Sequence, residues 1–156
     1  MLNGGIVVFF YVDDIVFCHR TRDKEKVDST IAELQKKFQL NVIGDLKWFL
    51  GIHVLRDRRQ KKLWLSQTAF IEKIANMYGI DTSGRMPDTP MKEYELLPAT
   101  TEVDPSSALR YQRKTGSILY TAITTRPDVA FAVSRLARFN QNPNEEHHHA
   151  VNKVIY

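Results

Sequence analysis

Two apolar runs joined by adjacent carboxylates constrain this chain more than any other feature. Ile6 to Val12 is β-branched and aromatic, Ile15 to Cys18 repeats that character over a shorter span, and Asp13-Asp14 lies between them. This pattern predicts a hairpin with both strands buried and charge at its tip. Aspartates are common in hairpin turns because their side chains bond the local backbone, so turn formation alone explains an isolated pair as well as chemistry does. On a rigid hairpin, however, two adjacent carboxylates repel each other unless a cation neutralises them. A hard divalent ion such as Mg²⁺ suits that role, because it prefers carboxylate and phosphate oxygens.

The rest of the chain alternates between the two periodicities. Thr21 or Asp23 offers an N-cap, and Val27, Ile31, Leu34 and Phe38 follow at helical spacing. Gly44-Asp45 marks a turn, and Leu46 to Leu55 reads as a strand. Gly51 inside it predicts a bulge or a close backbone approach. A basic turn, Arg56 to Lys62, leads to a short strand, Leu63 to Leu65. Ser66 then caps a helix carrying Phe70, Ile71, Ile74, Met77 and Tyr78, with Gly79 as its stop. Pro87, Pro90, Pro98 and Pro105 mark a linker, and the main structural boundary is placed there. Helices are predicted from Ser107 to Thr124, from Pro127 to Asn140 and from Glu145 to the end.

The chain has 156 residues, 43% hydrophobic and 26% charged, enough for one globular core. Its net charge of +4 suits an acidic partner such as nucleic acid, although an ordinary basic protein carries as much. The single cysteine, Cys18, excludes an intrachain disulfide and reads as strand packing; Trp64 reads as core. The Ile6 to Tyr11 run is too short to span a bilayer, so no membrane association is expected. Arg56, Arg58, Arg59, Lys61 and Lys62 crowd one turn, either as a solvated tip or as phosphate contacts. Arg110, Arg113, Lys114, Arg126, Arg135 and Arg138 offer the same two readings on the C-terminal helices. Consecutive side chains on a helix point in different directions, so His147 to His149 read as a polar helix start and not as a zinc site.

Tyr11-Val12-Asp13-Asp14 between apolar strands resembles the catalytic palm hairpin of reverse transcriptases. Further blocks are similar, in order, to the copia-type retrotransposon branch: Leu46 to Ile52, Leu65-Ser66-Gln67 with Phe70-Ile71, and Thr89-Pro90-Met91. Tyr111-Gln112-Arg113 with Gly116 to Tyr120, Thr125 to Val129, Ala132 to Leu136 with Arg138-Phe139, and His147 with Ala150 continue the series. Several blocks in one order make chance a poor explanation.

The resemblance implies an α+β fold: a partial polymerase palm, antiparallel sheet plus helix, followed by a mostly helical thumb-like region. Residues 1–80 would be the C-terminal half of the palm with its primer-holding hairpin and the following helix, 81–106 a proline-containing linker, and 107–156 the helical region. It implies RNA-directed DNA synthesis within a polyprotein, with an RNA template, a DNA primer and deoxynucleoside triphosphates as partners. Asp13 and Asp14 match the metal-binding aspartates that hold two Mg²⁺ ions. Tyr11 and Val12 match positions near the primer end, and Trp48, Phe49, Leu50 and Gly51 match the hairpin that holds the primer. The family's third metal-binding aspartate and its fingers region have no counterpart here, so weak metal binding and an inactive isolated chain are expected. The alternative is a non-catalytic nucleic-acid-binding remnant or a decayed gene fragment. Palm strands without a neighbouring strand also predict poor solubility.

Overall fold

The computed structural model describes residues 5–81, 83–84, 88–91 and 96–156. It forms two compact units, Met1–Lys47 and Trp48–Tyr156, and its mixture of small antiparallel sheets and helices is the expected α+β class.

In the first unit, β1 (Val7–Tyr11) pairs antiparallel with β2 (Asp14–Cys18), Val7 opposite Cys18 and Tyr11 opposite Asp14. The hairpin forms where the sequence places it, but its strands are not buried: Phe9 and Phe10 are exposed, Phe10 by 70%. Two strands and one helix carry too little apolar surface to enclose a two-sided sheet. Among the described residues of this unit only Ile6 and Val27 are buried hydrophobics. Cys18 is exposed as well, so its packing role does not hold. A 3₁₀ turn, Thr21–Asp23, leads into α1 (Lys24–Lys37). Glu25 in the first turn and Lys36 and Lys37 in the last complement the helix dipole. Of the predicted apolar face, Val27 is buried, Ile31 and Leu34 are half-buried and Phe38 is exposed.

The second unit opens with a three-stranded antiparallel sheet, β3 (Trp48–Phe49), β4 (Ile52–Asp57) and β5 (Lys62–Ser66), in that order. The single strand predicted over Leu46 to Leu55 is thus two strands and a reversal. Trp64 lies half-exposed on the sheet and not in the core. In α2 (Thr68–Met77) the Thr68 amide donates to the Ser66 hydroxyl at 3.3 Å, one residue off the expected cap position. Gly79, at φ +64, ends the helix as expected. The Ile80 amide donates back to the Ala75 carbonyl and the Gly79 amide to that of Asn76, which is a Schellman closure.

The helical remainder comprises α3 (Pro105–Thr124), a 3₁₀ turn at Pro127–Val129, α4 (Ala130–Ala137) and α5 (Glu145–Ile155). Asp104 caps α3 by accepting from the Ser107 amide, with Pro105 in the first turn. The core gathers Ile74 and Ala75 of α2, Tyr111, Ile118 and Ala122 of α3, Val133 and Leu136 of α4, Val151 and Ile155 of α5, and Leu96 from the proline-bearing stretch. Leu96 therefore packs within the second unit. Lys114 is buried too, its ammonium donating to Asn152 Oδ1 at 2.7 Å and lying 5.2 Å above the Tyr78 ring centroid. Burial, with Arg110 nearby, pulls its pKa down against the opposing pull of Glu145. No helix among the described residues is long and apolar enough to cross a membrane.

The histidine run starts α5 as a polar element of specific geometry. The Asn144 side chain accepts from the His147 amide at 3.0 Å while the Asn144 amide donates to His147 Nδ1 at 2.9 Å, a capping box. His147 is fully buried, its ring stacked on Phe139 at 3.9 Å between centroids. With Nδ1 accepting, the neutral ring carries its proton on Nε2. Burial lowers the His147 pKa against weaker opposition from the Leu97 backbone and Glu146. Burial and the nearby Lys114 lower that of His148, whose Nε2 pairs with the Ser107 hydroxyl at 3.0 Å. Both folded values lie below the ordinary 6.5. Their stabilising neutral forms are fully present above that value and are lost as pH falls through the folded values. The melting temperature is therefore expected to fall as the pH drops below the ordinary 6.5. A flat profile, read by circular dichroism, would contradict the buried neutral His147.

Candidate active-site hairpin

The turn of the first hairpin is two residues, Val12 and Asp13, because Tyr11 pairs directly with Asp14. Asp14 is thus the first residue of β2, and only Asp13 sits wholly in the turn. Adjacent strand positions point to opposite faces, so the register separates Tyr11 and Asp14 from Phe10 and Ile15. Both carboxylates are exposed, and among the described residues neither is engaged by a cation. Val12 is 89% exposed with φ +49. A β-branched residue in the left-handed region is a steric outlier, and such strain costs about 1–3 kcal/mol. Strain of this kind gathers at sites where a turn is fixed for use.

The chemistry of the pair suits a hard divalent ion, because each carboxylate presents oxygen donors to solvent. The number does not: among the described residues no group of three His, Cys, Asp or Glu side chains converges. As donors for such an ion, the two carboxylates would make only part of a set.

The other predicted residues lie in the second unit. β3 and β4 are joined by a two-residue reversal at Leu50-Gly51, since Phe49 pairs with Ile52. Leu50 has φ +52 and Gly51 φ +76, the type I′ pattern that matches strand twist. Gly51 is there for the turn, and neither a bulge nor a crowded backbone accounts for it: a Cβ would come within only 3.8 Å of Tyr120 Oη, ordinary contact. The Tyr120 hydroxyl, from α3, donates to the Leu50 carbonyl, and its ring meets Phe70 edge-on at 5.1 Å. Trp48 stacks on His53 at 4.4 Å with 12° between planes.

The basic turn spans the β4–β5 connection, with Arg56 in β4, Lys62 in β5 and Arg58, Arg59 and Lys61 between, all exposed. Asp57 Oδ1 accepts the amides of Arg59 and Gln60 at 2.8 and 2.9 Å, and Lys61 takes φ +54. The cations project from a fixed loop. Two of the cations expected on the C-terminal helices are committed elsewhere. Lys114 is buried, which overturns both its readings, and Arg126 forms a two-pronged pair with Asp128 at 2.8 to 3.2 Å. That pair raises the Arg126 pKa and lowers that of Asp128.

Sequence reasoning missed the anchors. Tyr120 was visible as part of a block, but nothing marked its hydroxyl as a clamp on a distant turn. Gln67, buried, accepts from the Thr125 hydroxyl at 2.7 Å and so ties the end of β5 to the corner after α3. A polar pair 58 residues apart has no local signature.

Comparison with known proteins places residues 2–93 in the family described as Reverse transcriptase (RNA-dependent DNA polymerase). The chain is 31% identical, over 98% of its length, to the Retrovirus-related Pol polyprotein from transposon TNT 1-94 of Nicotiana tabacum, covering 12% of that protein. It is 31% identical, again over 98%, to the corresponding polyprotein from transposon RE1 of Arabidopsis thaliana, covering 10% of it. The putative transposon Ty5-1 protein of Saccharomyces cerevisiae is 28% identical over 98% of the chain and 48% of its own length. The chain thus spans between about a tenth and a half of these relatives. No solved structure matches it.

Val12 gives a direct test of turn strain. Val12→Gly is expected to stabilise the chain by about 1 kcal/mol in urea unfolding, since glycine adopts positive φ without steric penalty. Destabilisation would show that the valine conformation is unstrained.

Proposed function

The chain belongs to the reverse transcriptase (RNA-dependent DNA polymerase) family, of the copia-type retrotransposon branch, and on that premise we propose that it supplies the catalytic hairpin and primer-holding elements of an RNA-directed DNA polymerase. The observation that carries this reading is Asp13-Asp14 held exposed at the strained end of a two-stranded hairpin. In it Asp13 and Asp14 hold magnesium as part of a larger ligand set, and the relatives are long enough to contain the remaining ligands. Two such ions supply activation of the primer hydroxyl and neutralisation of charge on the phosphate. Tyr11 and Val12 border the primer end. Trp48, Phe49, Leu50 and Gly51 hold the primer strand at a turn fixed by Tyr120. Arg56, Arg58, Arg59, Lys61 and Lys62 offer phosphate contacts. The partners are an RNA template, a DNA primer and deoxynucleoside triphosphates. A second reading is a nucleic-acid-binding segment without catalysis, for which the exposed basic turn between β4 and β5 speaks on its own.

Two measurements separate the readings. The isolated chain should bind Mn²⁺ weakly, in about the millimolar range, and lose that binding in Asp13→Asn and in Asp14→Asn. In a polymerase containing this segment, Asp14→Asn should lower primer extension by about a hundredfold to a thousandfold while primer-template affinity holds. Duplex binding without extension in either form supports the second reading.

A further inference from the structure

We propose that the outward face of α3 is a self-association surface, on which a second copy of this chain packs its own α3 antiparallel across Gly116. One side of α3 is buried in the core, and Leu109, Leu119 and Ile123 are left outward, exposed by 47, 46 and 75%. With Gln112 and Gly116 they follow one another at alternating spacings of three and four, which makes one continuous stripe along a helix. Gln112 is turned to the Asn140 carbonyl of its own chain at 2.9 Å, so its amide keeps a partner when the stripe is covered. Gly116 sits at the centre, and nothing inside the chain calls for it. Glycine disfavours a helix interior more than any residue but proline. Here it is exposed, its φ is not positive, and an added Cβ would meet nothing within 4 Å. A position without a side chain in the middle of an apolar stripe admits the close approach of another backbone.

Symmetry and charge identify the approaching helix as α3 of a second copy. Leu109 and Ile123 lie seven residues to either side of Gly116, about 10 Å along the axis. A two-fold axis at the glycine therefore sets Leu109 of each copy on Ile123 of the other and Arg113 on Leu119, an isologous contact. The aliphatic stem of Arg113 covers Leu119 while its charged head stays in water. From Pro105 to Thr124 there is no acidic residue, and both exposed cations, Arg110 and Arg113, precede Gly116. A parallel pair would place these like charges side by side. The antiparallel pair separates them and draws each toward the C-terminal end of the other helix, where the dipole favours a cation. One helix pair buries less than the roughly 1,600 Å² of a standard interface, so the expected dimer is weak, with a Kd of about 10 to 100 µM.

Sedimentation equilibrium of the full chain, from about 5 to about 200 µM, should show a monomer–dimer equilibrium. Gly116→Lys adds like charges at the axis, in space that is open within one copy, and should weaken the dimer at least about tenfold with helical circular dichroism unchanged. Leu109→Lys and Ile123→Glu should each weaken self-association about tenfold. A mixture of those two variants should pair to within about threefold of the wild type, because one end regains leucine on isoleucine and the other sets lysine on glutamate. A chain that stays monomeric over the whole range would overturn the proposal and leave the stripe to a partner other than this helix. Dimers that persist in Gly116→Lys, or single variants that the mixture does not rescue, would overturn it as well. Asp14→Asn should leave the dimer intact, so this contact and the metal-binding reading of the first hairpin fail separately.

Discussion

The helical part of the chain is organised by one buried phenol. Tyr111 is fully enclosed and donates its hydroxyl hydrogen to the Leu136 carbonyl at 2.9 Å, joining α3 to the end of α4. Its ring meets His148 edge-on at 5.2 Å and His147 at 6.4 Å, which brings α5 against the same helix. A buried hydroxyl needs a partner, and here it is a carbonyl in the last turn of α4 that also accepts the Phe139 amide. Burial drives the Tyr111 pKa well above the ordinary phenol value, so the group remains a donor at any physiological pH. With α3 fixed along this length, the residues on its far side become reliable supports. Tyr120 and the corner at Thr125 reach the sheet from the same rigid helix.

What the sequence made legible follows from how local each signal is. The hairpin around Asp13-Asp14, the closure at Gly79, the break before Glu145 and the turn begun by Pro127 are each written in neighbouring residues, and each forms, whereas Pro105, read as linker, opens α3. Burial was less legible, because it depends on what is available to cover a face. Val7, Phe9 and Phe10 read as interior residues and are exposed. Cys18 and Trp64 follow the same logic. Gly51 was read as an irregularity inside a strand, since an isolated glycine carries no mark that its left-handed neighbour is leucine. The clamps from Tyr120 and Gln67 lay beyond any local pattern. At the candidate site the carboxylate pair was visible in the residues, while the expectation that it is part of a larger ligand set came only through family resemblance.

The first hairpin combines strain, exposure and charge in a few residues. Its outer face carries large apolar side chains, and its tip carries two carboxylates without a cation partner among the described residues. An element of this kind is stable only in part through its own contacts, as a two-stranded sheet is marginal in water. The same arrangement suits a component whose surroundings supply the missing cover, since its polar tip and apolar face are already oriented. The second unit is different in kind, with its own core and its own helix caps.

The grip of Tyr120 on Leu50 is made to a main-chain oxygen. Every amino acid presents that oxygen, so the side chain at position 50 is free to drift over generations provided the left-handed turn survives, and glycine or asparagine would serve as well as leucine. Position 120 has no such latitude, because only a tyrosine sets a hydroxyl at that reach. The turn and its clamp are thus under unequal evolutionary constraint, with variation expected at position 50 and invariance at position 120.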